Sequence, residues 1–202
     1  MGRLTVAVSE PPANLAGFPA KKLNRDWFRA HTVGRGPWWF SHDGSGRFDL
    51  AAPAGTCYLA SHSAAAVHER LGEILVAARQ ITSAVADQMV VSQLPLTESV
   101  ADTTVQAATR HGVTRELGTI TPYGVPQRWA AALYAAGYGG VRYWPRFSLS
   151  PDYRAAAIFG AAGVDPHRPI DPAPVPGRIA AAKAGIRVSG PPRRLPIKQP
   201  PA

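Results

Sequence analysis

The sequence predicts an α+β fold built around one domain. Strand-like stretches outnumber helical ones, and the two kinds do not alternate strictly as they would in a doubly wound sheet. At 202 residues the chain is long enough for one core of about 150 residues plus extensions, and short for two full domains.

Residues 1–22 (MGRLTVAVSEPPANLAGFPAKK) mix short apolar pieces with Pro11, Pro12 and Pro19, which predicts an arm or loosely docked segment ahead of a domain starting near Leu23. Asp26–Val33 (DWFRAHTV) and Thr56–Ser61 (TCYLAS) read as strands from their aromatic and β-branched content. Ser61–Gln80 follows as a helix with Ser61 or Ser63 at its N-cap. Met89–Leu94 (MVVSQL) is an apolar strand that Pro95 ends. Glu98–Val105 leaves strand and helix open, and Thr104–His111 has helical character. Pro126–Ala136 (PQRWAAALYAA) reads as a helix with proline in its first turn and Gly137 at its end. Val141–Trp144 and Arg154–Phe159 complete the strands, which gives a domain over residues 23–160.

Residues 161–202 hold ten of the 20 prolines and carry seven basic residues against two acidic ones. That composition predicts a solvated basic extension, within which Ile179–Ile186 could form one short helix. Its Arg193, Arg194 and Lys198 are candidates for contact with nucleic acid or an acidic partner.

A hydrophobic share of 46%, inflated by alanine, and a charged share of 17% exclude disorder throughout and predict a core rich in small residues. The formal charge of +9 predicts attraction to an anionic partner: nucleic acid, a phosphorylated ligand or an acidic protein. The single cysteine, Cys57, cannot form an internal disulfide, and neither a signal pattern nor an apolar run near 18 residues is visible. These features predict a soluble cytoplasmic protein with no membrane partner. Cys57 lies in an apolar run and reads as a buried structural thiol; no Cys and His spacing fits a metal site.

Several residues can carry chemistry, each with a bland alternative. Gly44-Ser-Gly-Arg47 is either an ordinary turn or a loop that presents Arg47 and backbone N–H groups to an anion. Arg29 sits inside an apolar strand pattern, where alternation places it on the face of Trp27 and opposite Phe28 and Ala30. It must face solvent or find an anionic partner, and a guanidinium suits phosphate. Glu69 lies opposite a helical stripe of Ala64, Val67, Leu71, Ile74, Leu75 and Ala78, so periodicity alone makes it a solvated glutamate. His68 at the edge of that stripe reads as a packing histidine.

The order Arg29 in WFRAH, then GRFDL, GTCYLA, AAAVHE ending at Glu69, and QRWAAALYAAGYGGVRYW resembles the RES domain proteins over roughly residues 25–160. That resemblance implies a fold similar to the ADP-ribosyltransferase toxins, with a mixed sheet core and flanking helices. It also implies a bacterial toxin that cleaves the nicotinamide–ribose bond of NAD with water or phosphate as acceptor. NAD would be the substrate, with no cofactor and no metal, and an antitoxin with a helix-turn-helix part would cover the cleft. By position, Arg29 and Glu69 match the family's catalytic arginine and glutamate. Tyr58 matches the tyrosine of the preceding strand, and Arg47 and Tyr143 join it on the NAD side. Proline stands at 145 in Tyr143-Trp-Pro-Arg146 where the family has serine, which leaves Ser148 and Ser150 as substitutes or the site degenerate. A proline has neither hydroxyl nor N–H to offer. A binding module without turnover, and nucleic-acid binding through the basic tail, are the other two readings.

Overall fold

The computed structural model describes residues 8–190. Arg193, Arg194 and Lys198, and with them the nucleic-acid reading of the tail, lie outside these residues.

Two long strands form the frame. β1 (Ala20–Thr32) and β5 (Met89–Asp102) pair antiparallel along their length, from Ala20↔Ala101 to Thr32↔Met89. β3 (Ala54–Ala60) pairs with β7 (Ala155–Ala161), β7 with β6 (Gly140–Tyr143), and β6 runs parallel to the end of β5. Phe28 of β1 pairs with Ala60 of β3, so the order β1–β3–β7–β6–β5 closes on itself through β1–β5. The result is a mixed sheet within an α+β fold. Small residues make it possible: β7 presents Ala155, Ala156 and Ala157, all buried, between two neighbouring strands.

Short strands complete the architecture: β2 (Trp39–Phe40) pairs with β8 (Gly163–Val164), and β4 (Ile81–Thr82) with β10 (Val188–Ser189). β9 (Val175–Pro176) joins the start of β5. Helix α1 (Ser63–Ala78) packs on β1, and α2 (Ser83–Asp87) leads into β5. Helix α3 (Gly124–Ala135) covers β6 through Trp129, Ala130 and Leu133, and α4 (Gly177–Lys183) packs on α1. Among the described residues, no helix is long and apolar enough to cross a membrane.

Four expectations change. The strand at Met89 does not end at Pro95 but runs to Asp102. Gln93 sends its N–H away from β1 to Asp171, and Pro95, two residues on, has the same orientation, so β1 loses no hydrogen bond to it. The boundary expected at Leu23 falls inside β1, and the segment before it is docked: Val8, Leu15 and Phe18 are buried. Trp129 Nε1 donates to Ser9 O at 2.8 Å, and Arg128 pairs with Glu10.

The expected tail is folded as far as residue 190. Ala180, Ala181 and Ile186 are buried against Val67, Leu71 and Met89, and Trp38 Nε1 donates to Pro169 O at 2.7 Å. Composition misled here because Pro166, Pro169, Pro172 and Pro174 sit in the loop ahead of β9, and the short helix that follows buries small apolar alanines. The helix expected to begin at Ser61 or Ser63 is capped at His62, without a side-chain bond. Ser61 Oγ instead accepts the Arg154 N–H, and the helical character at Thr104–His111 is a 3₁₀ turn over Gln106–His111.

Candidate active site

A cleft of about 790 Å³ opens between the end of β1, the loop from Arg35 to Arg47, β3, α1 and the loop after β6. Its walls bear five arginines (Arg29, Arg35, Arg47, Arg70 and Arg146) against three carboxylates (Asp43, Glu69 and Glu73). An anionic ligand is favoured there, and the exposed indole of Trp39 offers a face to a planar group, while Tyr123 and Tyr143 also line the walls.

Arg29 reaches the cleft from β1. Its Nη1 donates to Pro37 O at 2.5 Å, Trp39 O at 2.9 Å and Cys57 Sγ at 2.7 Å, which fixes one side of the guanidinium to the wall. Cys57 is fully buried in the core beside Trp27 and Phe40, and burial pushes its thiol up, against the nearby arginines; it is a structural thiol, not a nucleophile. Strand alternation was therefore right: Arg29 shares the Trp27 side, and Phe28 and Ala30 pack toward α1.

Glu69 is half-buried and lines the cleft, contrary to the solvated face that periodicity gave it. The reason is tertiary. The side of α1 bearing Ala65, Glu69 and Gly72 lies under the loop after β6, and Glu69 Oε1 accepts the Phe147 N–H at 2.6 Å. Ile74 and Val76, apolar in sequence, are exposed instead. Burial pushes the Glu69 carboxyl up from its ordinary value, partly offset by the Phe147 and Arg146 amides and the charges of Arg47 and Arg146.

Arg47 is nearly buried: its Nη1 donates to Ile120 O, and its guanidinium lies 4.6 Å from the Tyr123 ring centroid. Burial lowers its pKa. The loop that carries it is a turn and a cleft wall at once. Gly44 has φ +77°, and Asp49 gathers the Gly46 N–H at 2.8 Å, the Ser41 hydroxyl at 3.0 Å and the Tyr58 hydroxyl at 2.8 Å. Gly46 is required there, since a Cβ would collide with both Asp49 and the Tyr58 hydroxyl.

Tyr58 therefore spends its hydroxyl on Asp49 and on the Phe48 N–H, and burial raises its pKa well above the ordinary phenol value. Tyr143 is buried beside Phe48, with ring centroids 4.8 Å apart. Burial first, then the charge of Glu69, raises its pKa. His68 holds α1 to α4 through Ala184 O at 3.2 Å, a packing role as expected.

The RES domain family model matches residues 26–177. The chain belongs to the RES domain family. A chain of the solved M. tuberculosis MbcT–MbcA toxin–antitoxin complex has the same fold, with a TM-score of 0.65 at 14% identity over 85% of this chain and 94% of that one. Among curated proteins nothing matches.

Of the positions that the RES resemblance singled out, Arg29, Arg47, Tyr58, Glu69 and Tyr143 all line the cleft. Ser148 and Ser150 do not. Ser150 closes its own turn, its hydroxyl accepting the Asp152 N–H and its carbonyl the Tyr153 N–H. Arg35, Arg70, Tyr123 and His31 also line the cleft, and no motif in the sequence points to them. Arginine count and net charge were the sequence signals, but neither says which arginines converge.

Proposed function

We propose that this RES domain protein is the toxin of a toxin–antitoxin pair and destroys NAD by cleaving its nicotinamide–ribose bond. The observation that carries the reading is the meeting of Glu69, Arg29 and Arg47 on one arginine-rich cleft in a chain of this family. The likeness to a chain of a toxin–antitoxin complex supports the toxin role, and the reading sets that role in the bacterial cytoplasm. Under this reading the closed mixed sheet is a variant of the ADP-ribosyltransferase frame.

In the reaction, the C1′–N bond breaks and its electron pair leaves with nicotinamide, while positive charge develops on the ribose. The Glu69 carboxylate stabilises that charge, and Arg29 and Arg47 hold the pyrophosphate. Water or inorganic phosphate then adds its oxygen to C1′ and releases a proton, giving ADP-ribose or its 1″-phosphate. Nicotinamide leaves NAD as a neutral group, so neither metal nor cofactor is needed. An antitoxin with a helix-turn-helix part covers the cleft and holds the toxin inactive.

Pro145 favours a second reading, a RES-like module that binds a nucleotide without turnover. NAD consumption by the full chain, with and without phosphate, separates the two. Loss of NAD in the wild type and its near abolition in Glu69→Ala support the toxin reading, and phosphate dependence names the acceptor. Intact NAD with a folded protein that still binds ADP-ribose supports the module.

A further inference from the structure

We infer that the main chain of the loop after β6 positions Glu69, with the Phe147 amide as the donor and Gly72 as the residue that admits it. This rests on the proposed NAD reaction for its kinetic consequence, though not for its structural one.

Three observations converge. Pro145 can supply neither a hydroxyl nor an N–H, yet two residues on the Phe147 N–H meets Glu69 Oε1 at 2.6 Å. Gly72 lies one helical turn beyond Glu69 on the same side of α1, and a Cβ placed on it would overlap the Phe147 ring. Arg146 lies over that ring, 5.0 Å from its centroid, and lines the cleft beside it.

A glycine in the middle of a helix weakens it relative to alanine, so its presence in α1 has a packing reason. That reason is the ring that seats the loop. The amide hydrogen bond fixes which way the carboxylate faces and favours its ionised form against burial. The charged and titratable groups around it are Arg47 from the glycine loop, Arg146 from the loop after β6, Tyr143 on β6, and Arg70 and Glu73 on α1.

The test replaces the 147 amide by an ester in the full chain, using phenyllactic acid at that position, which keeps the ring and removes only the N–H. Beside it stands Gly72→Ala, which raises helix propensity while expelling the ring. Both are read by NAD kinetics and by NMR titration of the Glu69 carboxyl carbon. Expected for the ester are a kcat lower by about tenfold or more, KM within about twofold, and a Glu69 titration and kcat acid limb moved to higher pH.

Gly72→Ala should move the same readouts in the same direction. An ester variant or a Gly72→Ala variant that folds and leaves the Glu69 titration unmoved overturns the proposal. If the wild type does not cleave NAD the reaction fails, while the titration still judges the positioning.

Discussion

The Tyr58 hydroxyl donates to Asp49 Oδ1 at 2.8 Å and accepts the Phe48 N–H at 2.9 Å, so one phenol on β3 anchors the loop that carries Arg47. Tyr58→Phe leaves a buried carboxylate one partner short and costs about 1–3 kcal/mol of stability. Denaturant melts read this directly. NAD cleavage should fall less than in Glu69→Ala, because the phenol is committed to the wall; a variant melting like the wild type would show that the loop is held elsewhere.

Arg29 has one nitrogen committed to the wall by hydrogen bonds, and it lines the cleft. Arg29→Lys keeps the charge and loses the planar fork, so KM for NAD should rise about tenfold with kcat changed by a few-fold at most. Steady-state kinetics and calorimetric titration with ADP-ribose give the two numbers. Equal affinity in variant and wild type would remove Arg29 from phosphate recognition.

Burial disfavours the charged form of Glu69 in the folded protein, whereas the unfolded chain ionises it normally. The penalty is therefore present at neutral pH and disappears once pH falls below the ordinary value of 4.5. Glu69→Gln should melt about 1–4 °C higher than the wild type at pH 7 and show no such gain near pH 4. Such a gain beside lost turnover is the signature of a carboxylate kept for chemistry at some cost in stability.

His31 shows the opposite sign. It is buried with Nε2 2.9 Å from Ser92 Oγ, and burial first, then nearby Arg29 and Arg70, pushes its pKa below the ordinary imidazole value of 6.5, against backbone hydrogen bonds. Its stabilisation is complete above that value and is lost as pH falls, because the unfolded chain takes up a proton that the folded one refuses. His31→Gln should flatten the fall in Tm between pH 7 and 5; parallel curves for the two proteins would contradict it.

Gly177 opens α4 where a Cβ would collide with the backbone oxygens of Ala86 and Met89. Gly177→Ala should destabilise the protein by about 1–3 kcal/mol in urea, despite alanine's higher helix propensity. A neutral result would mean that residues 177–183 are not part of the cooperative unit.

The strands centred on Trp27, Tyr58, Val141 and Ile158, and the helices containing Glu69 and Trp129, were legible from local patterns of aromatic, β-branched and alanine-rich sequence. The docking of both ends was not. Val8, Phe18 and Ile186 lie in short apolar pieces broken by glycine, proline or charge, and a hydrophobic residue reveals its partner only when the partner's surface is in place.

For the site, sequence alone determined that arginines outnumber carboxylates, that Arg29 shares the Trp27 side of its strand, and that proline at 145 offers no donor. Tertiary structure decided that Arg29, Arg47 and Glu69 line one cleft, and it reversed the exposure of Glu69. Periodicity reports which side of α1 carries apolar side chains. It says nothing of a loop from beyond β6 that brings a main-chain amide onto the other side, over a glycine, because backbone donors have the same chemistry at every residue and only their placement distinguishes them.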